Sequence, residues 1–175
     1  MDDVLKGKVI AVNGPIVRAV GLTGIKMFDI AEVGADRLIG EVIRLAGDIT
    51  IIQVYEDNTG LKPGDDVVSF ARPLSVLLGP GLIANIYDGI QRPLVGISET
   101  CGSYIKKGIK LSPLDVNQKW EFQPLVKTGV DIQEGTILGE IRESPLVMHR
   151  LLVPPGISGT LTQIVKAGTY TIEED

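Results

Sequence analysis

Short apolar runs alternate with tight turns along the first seventy residues. Two pairs of runs, 7–14 with 16–22 and 38–45 with 49–56, each flank a short glycine-bearing connection. This arrangement predicts two β-hairpins. The second pair does not alternate cleanly between apolar and polar positions. Near-continuous apolar strands of this kind are covered on both faces, or belong to a closed barrel whose outer wall meets a partner.

A further strand completes the predicted first unit. Residues 60–70, "GLKPGDDVVSF", supply a Pro-Gly turn followed by an apolar run. Five or six short strands without helices predict a small β-barrel over 4–72. Four isoleucines of the second hairpin are assigned to the barrel core, with lateral contact as an alternative use: Ile43, Ile49, Ile51 and Ile52.

The pattern changes after the barrel. Residues 74–78, "LSVLL", resemble a strand, and positions 82, 83, 86, 87 and 90 then form an apolar stripe with helical spacing. Gly89 weakens this helix and Pro93 ends it. The sequence therefore predicts a linker with one short helix, followed by loops and short strands over 95–119.

The last third of the chain is again rich in strand-forming residues. Glycine and proline turns separate its apolar runs, which predicts a second β unit over 120–175. The strand candidates are 120–126, 136–143, 146–153, 159–165 and the final stretch 170–175.

Composition narrows the class of protein. Apolar residues make up 44% of the 175 residues but aromatics only 5%, so the core must consist of Val, Ile and Leu. The 21 glycines and 10 prolines agree with many short strands. A net charge of −5 argues against a nucleic-acid-binding protein. The lone Cys101 excludes an internal disulfide and fits a reducing compartment. No apolar run is long enough to span a membrane, and "MDDVLKGK" is not a signal peptide.

One glycine motif has the spacing of a dinucleotide-binding turn. Gly79-x-Gly81-x-x-Ala84 follows a strand-like run, and Glu99 lies where a ribose-binding acid would fall. Pro80, however, removes one backbone donor, and no parallel βαβ pattern follows. A structural linker turn is the preferred interpretation. The alternative, that the chain is an NAD-dependent enzyme, is supported by the glycine spacing alone.

No phosphate-binding loop is present in the sequence. That loop requires G-x-x-x-x-G-K-[ST], and the single Gly-Lys pair, Gly7-Lys8, is followed by Val9. ATP chemistry is therefore not expected to be centred on these residues.

The second β unit resembles the carrier domains that hold biotin or lipoate. The stretch 143–161, "ESPLVMHRLLVPPGISGTL", has the form of their hairpin, but carriers attach the cofactor to a lysine at the tip. No lysine lies between Lys127 and Lys166, and 145–148 occupy the tip position. The carrier-like fold is expected without carrier chemistry.

The remaining candidates for chemistry are sparse. Cys101 and His149 are too few for a zinc site, and each is interpreted as structural. The cluster Lys106-Lys107-x-x-Lys110 is interpreted as a solvated loop, with contact to an acidic partner as the alternative. No catalytic, cofactor-binding or metal-binding residue is therefore assigned.

Three long phrases resemble one protein family. Residues 73–94, "PLSVLLGPGLIANIYDGIQRPL", are similar to the segment that leaves the N-terminal barrel in the catalytic A subunit of archaeal and vacuolar-type rotary ATPases. Residues 119–141 and 153–175 resemble the insertion that distinguishes this type of catalytic chain from its relatives. The resemblance covers nearly the whole chain, weakly at 1–37.

The resemblance implies a mainly β fold with three parts. Residues 1–72 would be the crown barrel, 73–109 a linker and the start of the nucleotide-binding domain, and 110–175 the bulge domain, a lipoyl-like barrel-sandwich hybrid. The chain would be an N-terminal fragment that ends before the phosphate loop.

The resemblance also implies a role. This segment would serve hexamer assembly and stalk coupling rather than catalysis, within a proton- or sodium-translocating ATPase or ATP synthase. The implied partners are the B subunit, other A subunits and the peripheral stalk, on the cytoplasmic side of the membrane. ATP and Mg²⁺ would belong to the full-length protein, and this chain would hold no cofactor. The alternative is a stand-alone β-domain adaptor with a carrier-like fold.

Overall fold

The computed structural model describes residues 4–174. It divides into two compact units. The first contains the chain up to Val76 together with Gly96–Leu111, and the second contains Leu77–Val95 and the chain from Ser112 onward. The predicted boundaries at 72/73 and 109/110 divide the chain into three consecutive segments. The structural division instead splits the predicted linker between the two units.

The first unit is built on a closed β-barrel, which confirms the predicted fold class. The strands are β1 (Leu5–Asn13), β2 (Ile16–Val20), β3 (Asp29–Val33), β4 (Leu38–Ala46), β5 (Ile49–Val54) and β6 (Asp66–Pro73). Neighbouring strands pair antiparallel in the order β1-β2-β5-β4-β3-β6, and β6 pairs back onto β1. Closure leaves no strand edge of the barrel unpaired.

Both predicted hairpins are present, β1 with β2 and β4 with β5. Strand β3 was not predicted, because its five residues, "DIAEV", have two acids and only three apolar positions. Its alternate residues Asp29, Ala31 and Val33 nevertheless face inward and are buried.

Side chains from all six strands fill the barrel interior. The buried members include Val17, Val33, Val42, Ile52 and Val67, each at most 1% exposed. Aliphatic side chains of this size fill a six-stranded interior without aromatic residues, which agrees with the low aromatic content.

The stretch after the barrel differs from the sequence prediction. Residues 74–78 form no strand, and the predicted helix over 82–90 is absent. The helix of the described chain, α1 (Leu94–Cys101), begins directly after Pro93, where the predicted helix was expected to end. Positive φ angles at Gly81, Ala84 and Gln91 interrupt any helix in between.

The second unit carries two small antiparallel sheets. The strands are β7 (Trp120–Pro124), β8 (Asp131–Ile132), β9 (Ile137–Arg142), β10 (Met148–Leu152), β11 (Gly159–Thr160) and β12 (Gly168–Tyr170). One sheet has the order β10-β9-β7-β12, and the other pairs β11 with β8. Predicted strands at 120–126, 136–143 and 146–153 are confirmed.

The final predicted strands are shorter than expected. The run 159–165 contributes only β11, and the described part of 170–175 contributes only Tyr170, at the end of β12. Asp175 lies outside the described residues.

The core of the second unit consists of Trp120, Phe122 and Ile141, with the ring of Tyr170 edge-on to Phe122 at 6.5 Å.

Candidate functional site

The glycine motif is held by a carboxylate of the same chain. Glu143, which directly follows β9, accepts hydrogen bonds from the backbone N–H of Gly81 (2.8 Å) and of Ile83 (3.1 Å) through one oxygen. Its other oxygen lies 3.9 Å from Nδ1 of His149. The Glu143 side chain is only 6% exposed. The loop therefore has the geometry of an anion-binding turn, but its anion is Glu143.

Two features favour glycine at position 81 of this loop. Its φ of +98° is strained for any residue with a side chain. A Cβ atom at this position would also lie 3.2 Å from Cζ2 of Trp120. The glycine thus lets the loop turn while it contacts the indole ring in the core of the second unit.

These contacts support the linker interpretation over a cofactor turn. A dinucleotide site needs a helix after the turn with free N–H groups aimed at the pyrophosphate. Here residues 82–90 are non-helical, and two of the N–H groups donate to a carboxylate. A phosphate placed at the same point would meet the negative charge of Glu143.

Hydrogen bonds from backbone and side chain to Asp88 shape the loop where the predicted helix is absent. Asp88 accepts from the N–H of Ile90 and of Arg92 through Oδ1, and from Nε of Arg92 through Oδ2 at 2.7 Å. Burial acts to raise the pKa of the Asp88 carboxyl, but the hydrogen bonds from Arg92 and Ile90 outweigh it and lower that pKa. Asp88 is consequently the centre of a tight turn.

Two further contacts fix the ends of this loop. The amide of Gln91 both accepts from Leu77 N (2.6 Å) and donates to Leu77 O (2.7 Å), as a neighbouring strand would. The hydroxyl of Tyr87 donates to Pro113 O at 2.9 Å. Burial, together with the nearby charge of Glu143, raises the pKa of Tyr87. Sequence periodicity could not reveal these bonds, since each depends on one polar side chain rather than on a repeat.

An apolar cavity of about 520 Å³ lies in the second unit. Trp120, Phe122, Ile141 and Tyr170 line it, with His149 among the few polar side chains. Nε1 of Trp120 is buried and has no hydrogen-bond partner among the described residues.

Two family models match this chain, one over each β unit. Residues 9–70 match the model described as ATP synthase alpha/beta family, beta-barrel domain. Residues 111–175 match the model described as ATPsynthase alpha/beta subunit barrel-sandwich domain. Together the two matches cover well over half of the chain. The chain belongs to the ATP synthase alpha/beta family.

Relatives within the ATP synthase alpha/beta family are similar to nearly the whole chain. The V-type ATP synthase alpha chain of Acetivibrio thermocellus is 50% identical over 169 residues, which is 97% of this chain and 28% of that protein. The A subunit of the A-type ATP synthase of Methanopyrus kandleri is 46% identical over 99% of this chain and 29% of that protein. The corresponding A subunit of Pyrococcus abyssi is 48% identical over 98% of this chain and 17% of its own length. The chain thus spans less than a third of the relatives that it matches, and the resemblance to A subunits is confirmed.

The barrel-sandwich unit of this family member carries an apolar hairpin tip. The turn closes through hydrogen bonds between Ser144 and Val147, and Leu146 at its apex is 95% exposed. The position where a carrier domain would present a lysine therefore presents a leucine.

We expect this tip to accept no cofactor. When the chain is co-expressed with a biotin ligase and a lipoate ligase, its intact mass should stay at the value calculated from the sequence, because no amine is available at the tip. A genuine biotin carrier domain expressed in the same cells is the positive control. A mass increase equal to biotin or lipoate on this chain would contradict the expectation.

The other candidate residues of the sequence lie apart from the glycine loop or at its edge. Cys101 is a free, half-buried thiol at the end of α1, and Glu99 is exposed on the same helix. His149 lies in β10, with its side chain 24% exposed. Among residues 4–174, no group of three or more His, Cys, Asp or Glu side chains could hold a metal ion. Within the same range, no helix has the length and apolar character needed to cross a bilayer.

The basic cluster contacts acids within its own unit. Lys107 pairs with Asp57, and Lys110 pairs with Glu32 on β3. Hydrogen bonds from Thr59 and Lys107 lower the pKa of Asp57 to about 2. The solvated-loop interpretation missed these pairs, because the acids lie some 50 to 80 residues away in sequence.

Proposed function

We propose that this chain is the N-terminal part of the A subunit of a rotary, ion-translocating ATP synthase or ATPase, and that it serves assembly and coupling rather than catalysis. The observation that carries the proposal is the pairing of a closed barrel with a barrel-sandwich unit of the same family, in a sequence without a phosphate loop. The relatives that share both units are named as A subunits or alpha chains of ATP synthases.

The proposed partners are neighbouring B and A subunits at the barrel, and the peripheral stalk at the barrel-sandwich unit. The complex would lie on the cytoplasmic side of a membrane, and ATP and Mg²⁺ would be held by other parts of the whole protein. A barrel that joins a ring needs an outer wall able to contact its neighbours.

The outer wall of the barrel has apolar positions suited to such contact. The β4–β5 register shifts between Val42 and Arg44, and the bulged residue Ile43 is 37% exposed. A similar shift in β1 leaves Ile10 41% exposed. Half-buried Ile51 lies between these bulges, so the wall presents several aliphatic side chains that are open to contact.

The proposal is tested by transplanting the chain into a relative. The matching 169-residue stretch of the Acetivibrio thermocellus protein is replaced by this chain, and the chimera is co-expressed with the other subunits of that complex. We expect assembly, seen by native mass spectrometry, and ATP hydrolysis by the assembled complex. The 175-residue chain alone should show no turnover in the same assay.

A single negative charge on the outer wall is expected to weaken assembly of the chimera while the barrel still folds. In the chimera, Ile43→Glu is expected to reduce the assembled fraction by about 10-fold, since a carboxylate buried at an apolar contact is strongly unfavourable. Thr23→Glu, in an exposed turn, is the matched control and should assemble normally. A chimera that folds but never assembles would favour the adaptor alternative. Equal assembly of the two variants would instead exclude this wall as the contact.

A further inference from the structure

The segment 106–110, here called the basic strap, lies against the barrel within the first unit. Lys107 Nζ is 2.9 Å from Asp57 Oδ2 and donates to Thr59 O at 2.9 Å. The backbone N–H of Gly108 donates to Glu56 Oε2 at 3.1 Å. Lys110 pairs with Glu32 at the other end of the strap. The strap therefore makes three successive polar contacts with acids of the barrel unit.

Gly108 allows the strap to approach the barrel closely. Its φ is +64°, and a Cβ atom at this position would lie 2.1 Å from the carbonyl oxygen of Asp36. Any residue with a side chain would push the strap away from the turn between β3 and β4. The position of Gly108 between the two paired lysines places both ammonium groups within reach of their acids.

Ion pairs and a backbone hydrogen bond, rather than fully buried apolar side chains, hold the strap in place. No side chain between Gly102 and Pro113 is fully buried, whereas the barrel interior is fully buried. The side chains of Lys107 and Lys110 are 34% and 48% exposed, and those of their partners Asp57 and Glu32 are 63% and 14% exposed. Ion pairs of this exposure contribute modestly and are screened by salt, because the Debye length falls from about 30 Å at 0.01 M to about 3 Å at 1 M.

We propose that the basic strap is a salt-sensitive conformational device, which docks on the barrel at low ionic strength and detaches at high ionic strength while the barrel stays folded. Lys107 and Lys110 are the positioning residues, and Gly108 permits the close approach. On detachment, residues 102–111 can move away from the barrel, and the barrel core stays intact. The inference rests on contacts inside the first unit and does not depend on the proposed function.

Hydrogen exchange on the full chain tests the strap directly. The exchange rate of the peptide covering 106–110 is measured at about 0.01 M and about 1 M salt, with the peptide covering β5 as the internal reference. We expect the strap amides to exchange about 10-fold faster at high salt, with β5 unchanged, since salt screens the two partly exposed ion pairs. A strap that exchanges equally at both salt concentrations, or only together with β5, would overturn the proposal.

Lysine variants test whether the ion pairs, rather than general loop mobility, set the exchange rate of the strap. Lys107→Ala with Lys110→Ala should exchange rapidly at both salt concentrations, whereas Lys107→Arg with Lys110→Arg should keep the protection at low salt. Lys106→Ala removes the same charge one residue away from a contact and should respond to salt like the unmodified chain. Unchanged protection in the double alanine variant would refute the electrostatic mechanism. Protection of β5 in every variant shows that the barrel is folded.

Discussion

Replacing Ile52 with alanine is expected to destabilise the barrel by about 2–5 kcal/mol. Ile52 is fully buried and packs with the other core residues contributed by the barrel strands. The substitution removes three heavy atoms and leaves a cavity that a closed barrel cannot collapse, because each strand is hydrogen-bonded on both sides. For a unit of this size, the loss corresponds to a fall in the thermal midpoint of at least about 10 °C.

The neighbouring isoleucine provides the matched control. Ile51 precedes Ile52 on the same strand but points outward and is half-buried. Ile51→Ala should therefore cost only about 1 kcal/mol. Equal losses from the two substitutions would show that the inward and outward faces of β5 are wrongly assigned.

The single tryptophan allows the two units to be followed separately. Trp120 lies in the core of the second unit, so its fluorescence reports on that unit, while hydrogen exchange of β5 reports on the barrel. Because the two core clusters share no residue, we expect Ile52→Ala to shift the barrel transition and leave the Trp120 transition in place. A common shift of both transitions would show that the units unfold as one.

Removing the Glu143 carboxylate is expected to destabilise the second unit by about 2 kcal/mol. Glu143→Ala leaves the N–H groups of Gly81 and Ile83 without their acceptor and removes a nearly buried side chain. Glu143→Gln retains an acceptor oxygen at the same distance. Its loss should be smaller, about 1 kcal/mol, since only the charge assistance is removed.

Urea unfolding followed by Trp120 fluorescence measures this effect, because Gly81 contacts the indole ring. Glu140→Ala is the control, since Glu140 lies on β9 just before Glu143 and forms a partly exposed pair with Arg150. Its loss should stay within about 0.5 kcal/mol. If Glu140→Ala were as damaging as Glu143→Ala, or if the amides of residues 81 and 83 exchanged at unchanged rates, the role of Glu143 as the anchor of the loop would be refuted.

Sequence patterns predicted the barrel better than the linker for a physical reason. Strands of the barrel bury alternate residues, so most of them appear as apolar runs flanked by turns. Strand β3 lacks this signal, because one of its three inward residues is Asp29 and another is the small Ala31. The linker has no such repeat. Its shape depends on single side chains, such as Asp88 and Gln91, that bond to the backbone.

The stripe at 82–90 shows how a helical pattern can mislead. Apolar spacing alone matches a helix, but Ala84 and Gln91 adopt positive φ and Asp88 holds a turn. The true helix starts after Pro93, which cannot lie inside a helix but is well placed just before one. Pro93 therefore precedes a helix start in this chain, whereas the apolar stripe predicts a helix end there.

The sequence and the tertiary structure determined different features of this protein. From the sequence alone came the strand-rich composition, the two hairpins, the lack of a phosphate loop and the lack of a lysine at the hairpin tip, since each depends on residue type or local spacing. Only the tertiary structure decided that Glu143 is the anion of the glycine loop, that Ile52 rather than Ile51 fills the barrel, and that the lysines at 107 and 110 pair with barrel acids. Those outcomes depend on strand register and on residues up to 78 positions apart, which no local pattern encodes.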